Sequence, residues 1–175
     1  MQLARVWILL AVVIAGCQDR PKAPALRDDP VFEDARSGLR FLAPTGWTET
    51  ARSAFPDGPA DKDTMLVRYQ PPPTDKPASF EVSFIDAPES ADVGAMLAAP
   101  SHGVSSWTLA ESPEPLKRND APATRYRLTQ NKLTKESIVF RRAGRLYFFT
   151  FVYSTSDSTV RERMHDVVQS VSWSK

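Results

Sequence analysis

Leu146-Tyr147-Phe148-Phe149-Thr150-Phe151-Val152-Tyr153 is the stretch that decides the fold of this chain. All of its residues except Thr150 are apolar or aromatic, so both faces of an extended segment here are apolar. A strand of this kind needs cover on both sides. We therefore predict a strand over 145–153 at the centre of a sheet that is packed on both faces.

Segments that precede this stretch alternate apolar and polar residues. In one of them Phe80, Val82 and Phe84 alternate with Glu81, Ser83 and Ile85. A period of two with one polar face is typical of half-buried strands. The predicted strands are a short one within 38–47, then 64–70, 79–86, 106–112, 122–129, 135–141 and 145–153.

Two segments have the spacing of amphipathic helices. Between Ser90 and Ala99, apolar residues lie at i, i+3 and i+4, and Pro100 ends the segment. The segment 158–171 repeats apolar residues every three or four positions, and Thr159-x-x-Glu162 fits a capping box. This order predicts an α+β fold, an α/β/α sandwich with a central, mostly antiparallel sheet of about six or seven strands, one mid-chain helix and one C-terminal helix.

Three stretches resemble the PsbP-like family, the sandwich shared by PsbP, the Mog fold and DcrB-type envelope lipoproteins. They are Phe41-Leu42-Ala43-Pro44-Thr45-Gly46-Trp47, Gly144-Arg145-Leu146-Tyr147-Phe148-Phe149 and Val167-Val168-Gln169-Ser170-Val171-Ser172-Trp173. The resemblance spans about 38–173. Because these are packing motifs on a fold without shared catalytic residues, the resemblance implies binding or assembly rather than catalysis.

The start of the chain resembles a bacterial lipoprotein signal. The apolar run 6–15 behind Arg5 is shorter than the about 20 residues of a spanning helix. It leads into Ile14-Ala15-Gly16-Cys17, which resembles a lipobox. The resemblance implies cleavage before Cys17, acyl chains on that cysteine and attachment to a membrane. Gln18, where sorting to the inner membrane would favour Asp, implies the outer membrane on its periplasmic side. An ordinary secretory signal is the alternative.

We accordingly divide the chain into three parts. Residues 1–16 are expected to be a removed signal peptide, 17–37 the lipidated cysteine with a flexible tether, and 38–175 a PsbP-like domain. Cys17 is the only cysteine, so no disulfide is expected. With 22 basic and 21 acidic residues, the chain has no charge bias toward nucleic acid, which we exclude as a partner.

Charge is unevenly distributed along the domain. Residues 117–145 hold nine basic residues and two acidic ones, whereas 43–116 hold eleven acidic residues and four basic ones. Concentrated positive potential attracts anionic headgroups, phosphate-bearing glycans or acidic proteins. The alternative is that these cations pair with the acidic half of the same domain or are solvated. The candidate residues for binding an envelope partner or anion are Arg125, Arg127, Lys132, Lys135, Arg141 and Arg142.

We predict no catalytic residue, metal or cofactor. Ala99-Pro100-Ser101-His102-Gly103 is the stretch most similar to a nucleophile elbow, but a helix precedes it where the elbow needs a strand. The loop 55–63 offers Asp57, Asp61 and Asp63 as oxygen ligands, but calcium usually takes six or more oxygens and the EF-hand order with its final glutamate is absent. An acidic surface loop is the simpler interpretation.

Together these patterns predict a lipid-anchored protein of the bacterial cell envelope. Its domain is expected to act by binding or assembly of an envelope partner, protein or anionic. Two alternatives stay open. One is a hydrolase-type envelope enzyme that uses Ser101 and His102, and the other is a structural spacer that would tolerate charge reversal at Arg125 and Arg127.

Overall fold

The computed structural model describes residues 30–73, 76–118 and 121–174. This part of the chain contains two helices and eleven strands. In chain order the strands are β1 (Val31–Asp34), β2 (Leu39–Leu42), β3 (Thr48–Arg52), β4 (Thr64–Gln70), β5 (Ala78–Asp86), β6 (Thr108–Leu109), β7 (Glu114–Arg118), β8 (Ala121–Gln130), β9 (Leu133–Arg142), β10 (Arg145–Ser154) and β11 (Ser172–Trp173). The helices are α1 (Val93–Ala98) and α2 (Ser158–Ser170).

Eight of these strands form the main sheet, in the order β3-β4-β5-β10-β9-β8-β6, with β7 also paired to β8. The remaining three form a small sheet in the order β1-β2-β11. The strand pairs of both sheets are antiparallel. The predicted α+β fold with a mostly antiparallel sheet is confirmed, and the main sheet has eight strands where we expected six or seven.

The strand β10 lies at the centre of the main sheet. It pairs along its length with β5 on one side and β9 on the other. Every residue from Leu146 to Tyr153 is buried. The prediction of a central strand covered on both faces is confirmed, because each face packs against its own hydrophobic cluster.

One face of the main sheet packs against α2 and the small sheet. Phe80, Phe149 and Phe151 from β5 and β10 are fully buried on this face. The rings of Phe80 and Phe151 stack with their centroids 4.2 Å apart. Val160 and Met164 bring the apolar side of α2 into the same cluster. We call this side the α2 face.

The opposite face, which we call the α1 face, has a smaller cover. Val93 and Leu97 of α1 and the ring of Trp107 pack on the part of the sheet formed by β8, β9 and β10. The helix has only six residues and ends with Ala99 in an extended conformation. The residue before a proline disfavours helical geometry, so Pro100 accounts for this end.

The start of α2 differs from the predicted capping box. The helix begins at Ser158, and its N-cap is Asp157, whose carboxylate accepts hydrogen bonds from the N–H and the hydroxyl of Thr159. The prediction of Thr159 as the capping residue is therefore wrong, since an aspartate two positions earlier already satisfies the free N–H groups. In the described ranges no helix is long and apolar enough to cross a membrane.

The edge of the sheet beyond β8 was also predicted incompletely. The strand expected over 106–112 is reduced to β6, and β7 follows as a separate strand that we did not predict. Pro113 lies between them and has no N–H for a strand ladder. Two short strands, rather than one, therefore cover the edge of β8.

The ordered domain begins earlier than position 38. Residues 31–34, assigned to the tether, form β1 and pair with β2. Phe32 is 2% exposed and stacks on Phe41 with ring centroids 4.7 Å apart. Two adjacent apolar residues are too few for a period to be recognised, which explains the shifted boundary. The expected signal peptide and Cys17 lie outside the described residues.

Truncation of Phe149 tests the packing of the α2 face. The ring contacts Phe41 and Phe140 edge-on, at centroid distances of 5.3 and 5.4 Å. We expect Phe149→Ala to lower the free energy of unfolding by about 3–5 kcal/mol in urea titrations of the full-length protein. Leu109→Ala is the control, since that side chain is 42% exposed and should cost less than about 1 kcal/mol. Equal losses in both variants would contradict the described core.

Candidate functional site

A cavity of about 240 Å³ lies on the α1 face, beside the C-terminal end of α1. Its floor is formed by β5, β9 and β10, and its wall by the end of α1 and the turn that follows. We call it the α1 pocket. Its polar lining includes Asp63, Glu81, Ser83, Ser101, His102 and Lys135, and its apolar lining includes Met96, Leu97 and Phe148.

Lys135 is a buried lysine in the lining of the α1 pocket. It lies on β9 and is 4% exposed. Its Nζ donates to the carbonyl oxygen of Leu97 at 2.8 Å and to Ser101 Oγ at 2.9 Å. Its ammonium also lies 5.6 Å from the ring centroid of Trp107. The side chain therefore joins the floor of the pocket to the end of α1 and to the following turn.

The charge of Lys135 is not balanced by a direct ion pair. Among the described residues, no carboxylate lies within 4.0 Å of its Nζ. Burial lowers the pKa of Lys135 to about 8, and the more distant carboxylates of Asp63 and Glu81 offset only part of this effect. A buried ammonium with hydrogen bonds but no counterion is costly, because neither acceptor carries a full negative charge.

The turn after α1 holds Ser101 in place. Ser101 and Val104 exchange two backbone hydrogen bonds of 3.1 and 3.0 Å. His102 and Gly103 between them both have positive φ, at 56° and 73°. This two-residue turn needs positive φ at both positions, and glycine adopts it without strain. Trp107 Nε1 donates to Ser101 Oγ at 3.1 Å, so the hydroxyl is tied to the buried ring.

The rim of the α1 pocket is acidic. Glu81 is paired with Arg68, whose Nε and Nη2 donate to one carboxylate oxygen at 2.9 and 2.6 Å. Asp63 lies at the rim and is exposed. Desolvation by neighbouring protein atoms raises its pKa, and Ser83 offsets part of this effect. His102 is also exposed at the rim, and partial burial lowers its pKa.

Two of the predicted binding residues, Arg125 and Arg127, lie on the opposite side of the sheet. Arg125 Nη2 lies 2.5 Å from Glu114, and Arg127 Nη1 lies 3.2 Å from Glu111. Both guanidinium groups also lie within 3.7 Å of Glu136, which is 0% exposed. Arg125 and Arg127 are thus paired with acidic residues of the same domain. For these two residues the structure shows internal pairing, which the sequence had left open as an alternative to binding.

The other predicted residues are dispersed. Lys132 is exposed in the turn between β8 and β9. Arg141 donates to the carbonyl oxygens of Ala87 and Pro88. Arg142 lies over the ring of Trp173, 5.4 Å from its centroid. Because side chains alternate along a strand, the six residues fall on both faces and at both ends of the β8–β9 hairpin and form no single basic surface. Of the six, Lys135 alone lines the α1 pocket.

The aspartates of the loop 55–63 are also separated. Asp57 pairs with Arg36, whose Nη1 lies 2.7 Å from its Oδ1, whereas Asp63 lines the pocket. In the part of the chain that the structure describes, no three His, Cys, Asp or Glu residues form a group suited to a metal ion. Sequence analysis missed Asp63, Glu81 and Ser83 as members of one site, since only the strand order brings them beside Lys135.

No family model and no curated protein matches the chain. Among solved structures, the chain is similar to the solution structure of cyanobacterial PsbP (CyanoP) from Synechocystis sp. PCC 6803. The two proteins are 17% identical and superpose with a TM-score of 0.54, over 83% of this chain and 92% of that chain. At this identity the likeness shows the fold alone. The fold that the three packing motifs implied, a PsbP-like sandwich, is confirmed.

The pKa of Lys135 gives a pH-dependent stability that replacement with methionine should remove. Burial lowers this pKa from 10.5 to about 8, so between pH 8 and 10 the unfolded chain binds more protons than the folded protein. Stability rises with pH wherever that holds. From pH 7.5 to pH 9.5 we expect the free energy of unfolding of the wild type to rise by roughly 2 kcal/mol more than that of Lys135→Met, as measured by urea titrations.

Lys132→Met is the matched control, because it removes an exposed lysine from the adjacent turn. Its pH profile should run parallel to that of the wild type. His102 does not interfere, since its lowered pKa places its titration below this window. If the free energies of unfolding of the wild type and Lys135→Met differed by the same amount at every pH in this range, the lowered pKa of Lys135 would be contradicted.

Proposed function

We propose that this chain is a lipid-anchored protein of the bacterial cell envelope whose PsbP-like domain binds a ligand or partner and catalyses no reaction. One observation carries the binding proposal. The α1 pocket contains a buried cation, Lys135, without a carboxylate partner within 4.0 Å among the described residues. A ligand that brings a negative charge into the pocket offsets the cost of burying that ammonium.

The proposed anchor is Cys17, with residues 1–16 removed as a signal peptide. Its support is the stretch Ile14-Ala15-Gly16-Cys17 behind a short apolar run. Two or more acyl chains on one cysteine hold a protein stably on a bilayer, since each buried CH₂ contributes about 0.8 kcal/mol. With Gln18 in the next position, we place the protein at the outer membrane, facing the periplasm.

The proposed partner is a small ligand or an anionic or protein component of the envelope, and the α1 pocket is the surface that we assign to it. The arginine cluster is less suited, because Arg125 and Arg127 already compensate the buried Glu136. Charge reversal there would also destabilise the domain, so it does not separate a binding protein from a structural spacer. Substitutions in the pocket do separate them, because a spacer needs no pocket.

A second candidate function, hydrolysis, is favoured by the contact between Ser101 and Lys135. A serine hydroxyl 2.9 Å from a lysine with a pKa of about 8 resembles the pairs that catalyse acyl transfer. This arrangement replaces the Ser101 and His102 pair that the sequence suggested, since the hydrogen-bond partner of Ser101 in the pocket is Lys135.

Replacement of Cys17 tests the anchor. We expect the wild-type protein, expressed in a bacterium that lipidates its own envelope proteins, to incorporate a fatty-acid analogue at its only cysteine. Cys17→Ser should incorporate none, as measured by labelling of the purified protein. Ser101→Ala is the control and should be labelled as strongly as the wild type. Label that persists in Cys17→Ser would contradict the anchor.

Exposure to p-nitrophenyl acetate at pH 8.5 separates binding from hydrolysis. We expect that Ser101 is not a nucleophile. Intact-mass spectrometry should then show the same number of acetyl groups on the wild type and on Ser101→Ala. At this pH more than about half of Lys135 is deprotonated, so a competent pair would react. A Ser101-dependent acetyl adduct would establish the hydrolase candidate and overturn the non-catalytic proposal.

A further inference from the structure

We infer that the α1 pocket binds a single free amino acid with an uncharged, apolar side chain, its carboxylate at Lys135 and its ammonium group at Asp63. The inference deepens the proposed binding function and rests on it. Three features of the pocket carry it: a buried cation at the floor, a carboxylate without a cation within ion-pair distance among the described residues, and apolar side chains in the same lining.

The floor of the pocket suits a carboxylate. An ammonium has three donors, and Lys135 uses two of them on Leu97 O and Ser101 Oγ. The third is available to a ligand. A hydrogen bond from an ammonium to a carboxylate is about twice as strong as one between neutral groups, and a low-dielectric site strengthens it further. The ligand carboxylate therefore supplies the counterion that the protein itself does not place beside Lys135.

The rim of the pocket suits an ammonium group. Glu81 is already paired with Arg68. Asp63 has Ser83 as a hydrogen-bond donor, but within the described ranges no lysine or arginine lies within ion-pair distance of it. The charge of Asp63 acts on Lys135, so it would also repel a simple anion bound there. A zwitterion satisfies both charges at once, and this difference selects it over a simple anion.

The size and lining of the pocket define the rest of the ligand. Met96, Leu97 and Phe148 contribute apolar surface, which favours an aliphatic or thioether side chain. The volume of about 240 Å³ corresponds to roughly eight water molecules. Pockets for drug-sized ligands are larger, about 300–1,000 Å³. The space therefore fits a single amino acid better than a peptide or a nucleotide.

The test compares L-leucine with two analogues that each lack one charge. Isothermal titration calorimetry on the detergent-solubilised, full-length protein would use L-leucine, 4-methylpentanoate, which lacks the ammonium group, and 3-methylbutylamine, which lacks the carboxylate. We expect L-leucine to bind at least about tenfold more tightly than either analogue, because each analogue leaves one charged group of the pocket unpaired. Binding should also raise the pKa of Lys135, measured from the NMR shift of its ¹³Cε.

Variants of Lys135 and Asp63 test which residue binds the carboxylate and which binds the ammonium group of the ligand. Lys135→Met should abolish binding of L-leucine, and Asp63→Asn should reduce it to the level of 4-methylpentanoate. The matched controls are Lys132→Met and Asp57→Asn, which change exposed residues outside the pocket and should leave the affinity within about twofold of the wild type. Circular dichroism of each variant verifies that it is folded, and Asp63→Asn keeps the test valid if Lys135→Met unfolds.

Three results would overturn the inference. Equal affinity for L-leucine and 4-methylpentanoate would show an anion site, which leaves the pocket as a binding site but removes the zwitterion. Unchanged binding in Lys135→Met would place the ligand elsewhere. No binding of L-leucine at about 10 mM would exclude the amino acid. The proposed function is tested separately by adding fractionated envelope extract to the wild type and to Lys135→Met and measuring thermal unfolding. No fraction that raises the Tm of the wild type more than that of the variant would count against binding itself.

Discussion

The strand β10 imposes the constraint on which the rest of this structure depends: it is apolar on both sides and must be covered on both. On one side α2 and the small sheet provide a wide cover. On the other side α1 has only six residues, because Pro100 follows its C-cap residue, Ala99. The part of the sheet that α1 does not reach is formed by β5, whose residues on this side include Glu81 and Ser83. The α1 pocket is thus a direct consequence of the helix length, and its polar floor matches the area left uncovered.

Among the described residues, the buried charged side chains are those of Lys135 and Glu136, and their charges are compensated differently. They are adjacent on β9 and therefore point to opposite faces of the sheet. Glu136 accepts a hydrogen bond of 2.9 Å from the hydroxyl of Tyr153 and lies close to two guanidinium groups, so its charge is compensated inside the domain. Within the described part of the chain, the acceptors that Lys135 reaches are neutral, and its ammonium lines a cavity. A buried charge that stabilised the fold alone would be expected to have a partner like those of Glu136. The proposed ligand supplies that partner beside Lys135, at the floor of the pocket.

The spacing of apolar residues predicted the elements that are long enough to show a period, and it missed the shorter ones. The strand over 145–153, the helix over 158–171 and the paired strands around them follow from spacing, because burial of one face forces it. Phe32 in β1 and Leu116 in β7 belong to strands too short to establish a period.

The site was harder to predict for another reason. Asp63, Glu81 and Lys135 lie far apart in sequence, and only the order β4-β5-β10-β9 makes them neighbours. The six basic candidates do not share one surface, because side chains alternate between the two faces of the sheet.

The protonation of Lys135 decides how its contact with Ser101 works. With a pKa of about 8, the ammonium form predominates at neutral pH, and in that form Nζ can only donate. Ser101 Oγ then accepts from both Lys135 and Trp107, which occupies the two acceptor positions of the hydroxyl. Its own proton is directed to the carbonyl oxygen of Ala99 at 3.4 Å. A nucleophilic hydroxyl needs a base that takes its proton and a lone pair free to attack, whereas this hydroxyl holds the ammonium in a fixed position. At neutral pH this geometry lets Ser101 hold the ammonium of Lys135 toward the pocket, which supports the proposed binding role over acyl transfer.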